Sequence, residues 1–476
     1  MRILLIKPPL NRNLFTPSCG EPLELEYLAS AVKEHEVEIL DMRIDKNLDL
    51  KLERFNPHLV GVTSYTCDAN AAKDVLKEVK KHRSGIINAI GGHHATFLPA
   101  YFAAPFIDVV FLGMSDISFK EYVNTVENGG DPRSVKNIAI RTDESLLFTE
   151  RTHFDVNLDS LPFPARHLTD LYRKYYRDHM RYRTVYMMTS RGCPFRCTFC
   201  ACWNLMEGKY IVRSPESIVE EIAGLPEDVD LVNFSDDNTL HGIGRAWRLS
   251  NLIRERKMRR KFSMFARADT IVKHPDLIKN FKEIGLQYLT VGIEAIKDED
   301  LDNLNKRVTV QTNNEAIRIL QRLGISNAAH FIVCPDYTKE DFEELFNYVC
   351  RLNLFHPLFT VLTPLPGTEL YRKTHDQLVI RDYDFFDFVH SVLPTKLSRR
   401  EFYHQFARLY LRCYSFKRYF KSILKDIRLR LKKTKDAVHY HPDRLPFLRM
   451  VFLHLGGIPL YWRHRNIYKS EPLFEP

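Results

Sequence analysis

Four of the chain's nine cysteines fall within ten residues, in the stretch SRGCPFRCTFCACW at 190–203. Cys193, Cys197 and Cys200 follow a C-x-x-x-C-x-x-C spacing, and Cys202 stands two residues beyond. Three thiolates on one short loop after a strand can hold three irons of a 4Fe–4S cube, because soft sulfur ligands suit iron–sulfur centres. The fourth iron is then left without a protein ligand. The alternative is a structural zinc knuckle, which normally needs a fourth ligand with paired C-x-x-C spacing. Cys202 is placed awkwardly for that role. The other cysteines are scattered, which points to a reducing cytosol and not to a disulfide framework.

The cysteine loop lies at the head of the second of two strand–helix series. In residues 1–145 the strand candidates are RILLIKP, EVEILD, LVGVTSY, INAIGGHH and DVVFLG. Between them, EPLELEYLASAVKEH, AAKDVLKEVKKH and ISFKEYVNTVEN carry helical spacing. Such alternation predicts a doubly wound, Rossmann-like α/β domain with its ligand at the strand C-terminal ends. Residues 146–182, which contain LPFPARHL, read as a connector. Within 183–385 the candidates are TVYMMTS, DLVNFSD, KFSMFAR, LQYLTVGIE, NAAHFIVCP and LFTVLTPLPG, separated by helical segments. Six strands in this order predict a partial (β/α)6 barrel of TIM type, with its chemistry at the strand C-terminal ends.

Residues 386–476 read as a basic helical C-terminal region. From Ser391 onward there are nineteen Lys and Arg against six Asp and Glu, so the preceding 390 residues carry about −4 of the chain's net +9. Apolar residues recur at helical steps through Phe402, Phe406, Tyr410, Cys413, Phe416, Phe420, Leu424, Ile427 and Leu431. Lys421, Lys425, Arg428 and Lys432 form a second stripe. That pattern suits a helix lying on an anionic bilayer, and equally a helix packed on its parent domain with lysines in water. The absence of a recognised nucleic-acid module argues against nucleic acid as the partner. MRILLIKPPLNRN is broken at once by prolines, so no signal peptide is expected. No apolar run is long enough to predict a spanning helix.

CPFRCTFC, with Phe199 before the third cysteine, resembles the signature of the radical S-adenosylmethionine enzymes. FSDDN, FARAD and VGIEA follow the second, third and fourth barrel strands as polar segments do in that family. The resemblance implies that Cys193, Cys197 and Cys200 ligate a 4Fe–4S cluster and that Asp236, Arg267 and Glu294 contact S-adenosylmethionine. On residue type alone, these charged groups also read as ordinary caps or ion-pair partners. VGVTSYT, IGGHHATFLP and DVVFLGMSD resemble the cobalamin-binding domain that precedes the barrel in a large subgroup. They imply contacts to the corrin from Thr63, Ser64, Gly91, Gly92, His94 and Thr96. Two features bear on this: no D-x-H-x-x-G motif is present, as is usual in the subgroup, and GMSD replaces the common Gly-Glu-Gly-Glu.

FTVLTPLPGTELY and the basic tail resemble the group that includes the hopanoid C-3 methylase. The expected activity is therefore cobalamin-dependent methylation of an unactivated carbon, on a hydrophobic or lipid substrate such as a hopanoid. A ferredoxin or flavodoxin is the expected electron donor. The expected location is the cytoplasm, with peripheral contact at the inner membrane face through the tail. The rival readings are a cyclase or rearrangement enzyme of the same cofactors, a non-catalytic cobalamin and iron–sulfur sensor or electron carrier, and a barrel enzyme whose first domain has lost cobalamin. Cys334, Tyr337 and Tyr371 lie near predicted strand ends and are candidates to touch substrate.

Overall fold

A computed structural model describes residues 1–11, 18–143, 145–153, 156–179, 181–354, 356–415, 418, 461–462 and 464–472. The first sheet contains β1 (Arg2–Lys7), β2 (Glu36–Asp41), β3 (Leu59–Thr63), β4 (Ile87–Gly91), β5 (Val109–Phe111), β6 (Ile138–Arg141) and β7 (Leu146–Phe148). Its order is β2-β1-β3-β4-β5-β6-β7. The strands from β2 to β5 pair in parallel, and β6 and β7 extend the edge antiparallel. The sheet thus runs to Phe148, into the segment read as connector.

Alternation along β1 explains why the sheet is covered on both faces. Leu4 and Ile6 join Val60, Val62, Ile90 and Val110 in one core, beneath the helix Ala69–His82. Ile3 and Leu5 join Leu59, Ala89 and Val109 in the other, beneath Leu23–Ala31 and Asp116–Glu127. Burial of both faces is what a parallel sheet of branched aliphatic residues requires.

The second sheet begins with β8 (Thr184–Met187), from which a small hairpin, β9 (Ser190–Arg191) and β10 (Ile211–Val212), projects. It continues with β11 (Leu231–Phe234), β12 (Lys261–Ala266), β13 (Leu286–Glu294), β14 (Ser326–Val333) and β15 (His356–Val361). These six strands pair in parallel in chain order, and β8 and β15 form the two edges of an open barrel. Helices return along the outer face, their starts set by local chemistry. Ser214 caps Pro215–Ala223, and Thr338 forms a capping box with Asp341 at Lys339–Arg351. Val185, Met187, Val232, Phe234, Phe262, Met264, Phe331 and Phe359 fill the layer between strands and helices. The alternate residues therefore face the concave side.

Buried charges join the two halves. Arg191 donates twice to Asp116, at 2.6 and 3.0 Å, linking the hairpin to the first turn of Asp116–Glu127. Arg166, at the start of the 3-10 helix Arg166–Tyr175, pairs with Glu21 from the first domain and with Glu221 at 2.7 Å from the barrel.

The helix Arg399–Cys413 packs on the barrel through Phe402, Phe406, Tyr410 and Cys413, all buried. Tyr410 donates to the Phe359 carbonyl at 2.6 Å. The first part of the apolar stripe is thus an internal packing face, because β15 and Lys339–Arg351 offer it an apolar partner. Phe416, Phe420, Leu424, Ile427 and Leu431, with the basic stripe Lys421, Lys425, Arg428 and Lys432, lie outside the described residues. Among the described residues no helix is long and apolar enough to cross a membrane.

Candidate active site

The cysteine loop leaves the C-terminal end of β8 through Gly192, whose φ is +84°. A Cβ there would stand 2.2 Å from the Lys209 carbonyl oxygen, so only glycine fits this turn. The loop is then pinned from several sides. Thr198 donates its N–H to Leu304 at 3.0 Å and accepts from Leu370 at 2.9 Å, while Trp203 Nε1 donates to the Cys197 carbonyl at 3.1 Å. All four thiols are free, with Cys197 buried and Cys193, Cys200 and Cys202 partly exposed.

Three thiols held on one loop fit the cluster expected there. Burial raises the Cys193 and Cys197 thiols above their ordinary value. The Cys202 thiol reaches both the Cys200 sulfur and the Asp237 carboxylate, and its hydrogen bond lowers Cys200.

The three barrel residues expected at S-adenosylmethionine are each engaged with the protein, and two of them brace the cysteine loop or its root. Asp236 is buried and accepts from the backbone N–H of Thr189 at 2.6 Å and Ser190 at 2.9 Å, tying the end of β11 to the end of β8. Burial pushes its carboxyl up, against those bonds. Arg267 stacks 3.6 Å over the Phe195 ring of the loop and donates to Asp269 at 3.0 Å and to the Lys306 carbonyl at 2.9 Å. Glu294 ends β13 with φ +62° and a register shift against β14, and it accepts from Lys306 Nζ at 2.6 Å. A Cβ on Gly292 would lie 2.1 Å from the Glu294 carboxylate, so the glycine makes room for that ion pair. Lys306 escaped the sequence reading, because NLNKRVT carries no spacing signal. Among the described residues the buried Asn238 amide has neither end partnered, leaving hydrogen-bonding capacity beside this ring of strand ends.

On the first sheet the residues expected at the corrin form one knot at the ends of β3 and β4. Gly92 has φ +97°, and a Cβ there would meet the Ser64 carbonyl at 2.7 Å. Ser64 donates its N–H to Gly91 at 2.9 Å, and His94 donates its N–H to Ser64 at 3.1 Å. The Thr96 hydroxyl donates to Gly92 at 2.8 Å and accepts from the Gly113 N–H at 2.9 Å, which joins the β5 end to the knot. Thr63 is buried beside Gly92. Gly113, with φ +77°, has nothing within 4 Å of where a Cβ would point, so its backbone is open to a bulky ligand.

His94 is fully buried, with Thr66 at 3.3 Å on Nδ1 and the rings of Tyr101, Phe102 and Tyr383 around it. Burial pushes its imidazole down to about 3, so it is neutral. In this packing the ring is enclosed, and among the described residues its Nε2 has no hydrogen-bond partner. Thr66, Tyr101 and Tyr383 were invisible to the sequence reading, Tyr383 because it arrives from beyond β15.

The two sets of strand ends approach one another. Gly367, after β15, lies against the Phe97 ring and accepts from Asn204 Nδ2 of the cysteine-loop helix at 2.5 Å. Asn70 reaches Asp382 at 2.8 Å. Cys334 and Tyr337 instead turn into the helix-facing core. The chain leaves β14 outward there, towards the cap at Thr338. Tyr371 packs in a small separate cluster, its hydroxyl 3.4 Å from that of Tyr383.

The B12-binding domain family matches residues 16–123, and the radical SAM superfamily matches residues 187–349. The chain is a B12-binding radical S-adenosylmethionine enzyme. Its cofactors are a 4Fe–4S cluster, S-adenosylmethionine and cobalamin. The enzyme is similar to the hopanoid C-3 methylase of Methylococcus capsulatus, at 29% identity over 82% of this chain and 75% of that protein. It is also similar to the anaerobic magnesium-protoporphyrin IX monomethyl ester cyclase of Cereibacter sphaeroides, at 27% identity over 84% of this chain and 68% of that protein. The fold is shared with the cobalamin-dependent S-adenosylmethionine radical enzyme OxsB bound to aqua-cobalamin. That match has a TM-score of 0.70 at 15% identity and covers 98% of this chain and 81% of the other.

Proposed function

We propose that the enzyme methylates an unactivated carbon of a small, largely apolar molecule, with a triterpenoid lipid as the favoured class. The observation that carries this reading is the apposition of the two sets of strand ends over a barrel whose concave wall is mostly uncharged. When bound, the cluster supplies an electron to S-adenosylmethionine and cobalamin supplies the methyl group. The chain's own residues hold and orient. Cys193, Cys197 and Cys200 grip the cluster, and the Gly91–Gly92 turn and Gly113 admit the corrin. Asp236, Arg267 and Glu294 fix the strand ends against which S-adenosylmethionine lies. Similarity to the hopanoid methylase supports the lipid class, and a ferredoxin or flavodoxin is the reductant proposed. A second reading, ring formation without methyl transfer, has the similarity to the cyclase in its favour.

The test is anaerobic reconstitution with deuteromethyl-labelled S-adenosylmethionine, a reductant and a lipid extract from cells lacking the enzyme. A lipid that gains one labelled methyl group, with 5′-deoxyadenosine released, is the expected result. A product without label, accompanied by 5′-deoxyadenosine, would favour the cyclase. Neither product under any condition would favour a sensor.

A further inference from the structure

We propose that His330 recognises a single hydroxyl or carbonyl group on an otherwise apolar substrate, from the concave wall of the barrel. The proposal rests on the substrate class inferred above and narrows it. On β14, Ala329, Phe331 and Val333 are fully buried in the helix-facing core, so His330 and Ile332 point to the concave side. Pairing sets His330 beside Gly292 on β13 and Leu358 on β15. On the Gly292 flank the Glu294 carboxylate and the Lys306 ammonium fill the space that a side chain would take.

The rest of the wall beside it is uncharged. Phe265, one residue from the end of β12 and paired only with Thr290 of β13, is 43% exposed, so its ring borders the open end of the barrel. Thr290, Leu358 and Thr360 are half-buried on the same side. The nearest charges are Glu294 and Lys306, which neutralise each other at 2.6 Å. Burial lowers the His330 imidazole, with Glu294 opposing and Lys306 reinforcing that shift. The ring is therefore neutral and carries one donor and one acceptor nitrogen. Among the described residues it has no hydrogen-bond partner, and a neutral imidazole so placed gains from a ligand that supplies one.

The experiment compares binding of two probes to the reconstituted holoenzyme in detergent. One is a pentacyclic triterpene bearing a single hydroxyl, and the other is the parent hydrocarbon. The wild type is expected to bind the alcohol about tenfold more tightly, the preference that one buried hydrogen bond confers. His330→Phe should bind the two equally, and His330→Asn should keep an intermediate preference. Both variants should bind cobalamin and S-adenosylmethionine as the wild type does, which also reports that they fold. Equal binding of the probes by the wild type, or an undiminished preference in His330→Phe, would overturn the proposal and leave methylation standing. So would loss of S-adenosylmethionine binding in the variants, since the ring would then belong to the cofactor. If the wild type binds neither probe while loaded with both cofactors, the lipid reading fails and this inference falls with it.

Discussion

β3 and β15 are strands of similar length whose residues see different surroundings. All five residues of β3 are buried, whereas along β15 buried and half-buried positions alternate strictly. The first sheet is sandwiched between helices, so a ligand finds room only beyond its strand ends. The barrel sheet has helices on one face alone, and its other face is a wall. A large cofactor that needs backbone close by suits the first arrangement, and a substrate enclosed on several sides suits the second. The thiol loop stands at the junction, rooted at a barrel strand end and turned towards the first sheet.

Removing a thiol breaks this comparison most severely. Cys193→Ala, Cys197→Ala and Cys200→Ala should each abolish cluster assembly, read as loss of the iron–sulfur absorption and of bound iron. Cobalamin binding should survive in all three, because the knot at Gly92, Ser64 and Thr96 makes no use of the loop. Cys202→Ala should retain most of the iron, since Cys202 lies outside the proposed ligand set and bonds to Cys200. Equal loss in all four variants would mean that the ligand set is different.

A pair of aromatic truncations sharpens the contrast between the two faces of the barrel sheet. Phe331→Ala empties a fully buried site and should cost about 3–5 kcal/mol of stability. Phe265→Ala removes a half-exposed ring from the open end of the barrel and should cost less than about 1 kcal/mol, while weakening binding of an apolar substrate. Denaturant titrations of the two variants decide it. Equal costs would mean that Phe265 is packed and that end of the barrel is not open.

Much of this was legible because the signals are local. Strand–helix alternation needs only a window of residues, and so does the C-x-x-x-C-x-x-C spacing at the end of β8. Which face a residue takes was less legible. Tyr337 and Cys334 lie just past a strand end, as a substrate contact would, yet the path towards the Thr338 cap turns them into the outer core. Asp236 and Arg267 stand just past the ends of β11 and β12, and Glu294 ends β13. Their partners Thr189, Phe195 and Lys306 come from other elements, and no spacing rule connects them. The enclosure of His94 was illegible for the same reason, since Tyr383 reaches it from some 290 residues further along the chain. The stripe beginning at Phe402 was periodic as read, but periodicity does not say whether lipid or protein receives the apolar side.

Two buried carboxyls at the junction between the halves give the last and finest test. Burial pushes Asp116 up, but Arg191 more than reverses this, so its carboxyl is held below the usual range. Its stabilising contribution is present above the unfolded value near 4 and is lost as pH falls through the folded value. Asp116→Ala, which leaves Arg191 buried and unpaired, should cost about 3–5 kcal/mol. Glu26 behaves oppositely. Burial and the neighbouring Glu21 raise its carboxyl well above the ordinary range, against the pull of Arg166 and the Thr169 hydroxyl bond. The folded state therefore holds a proton that the unfolded chain releases, so Glu26 lowers stability progressively as pH rises from about 4 towards its folded value. Glu26→Gln should remove that slope and leave the neutral-pH stability within about 1 kcal/mol of wild type or above it. A loss of several kcal/mol at neutral pH would show that Glu26 is ionised, and that both carboxyls bind the halves together in the same way.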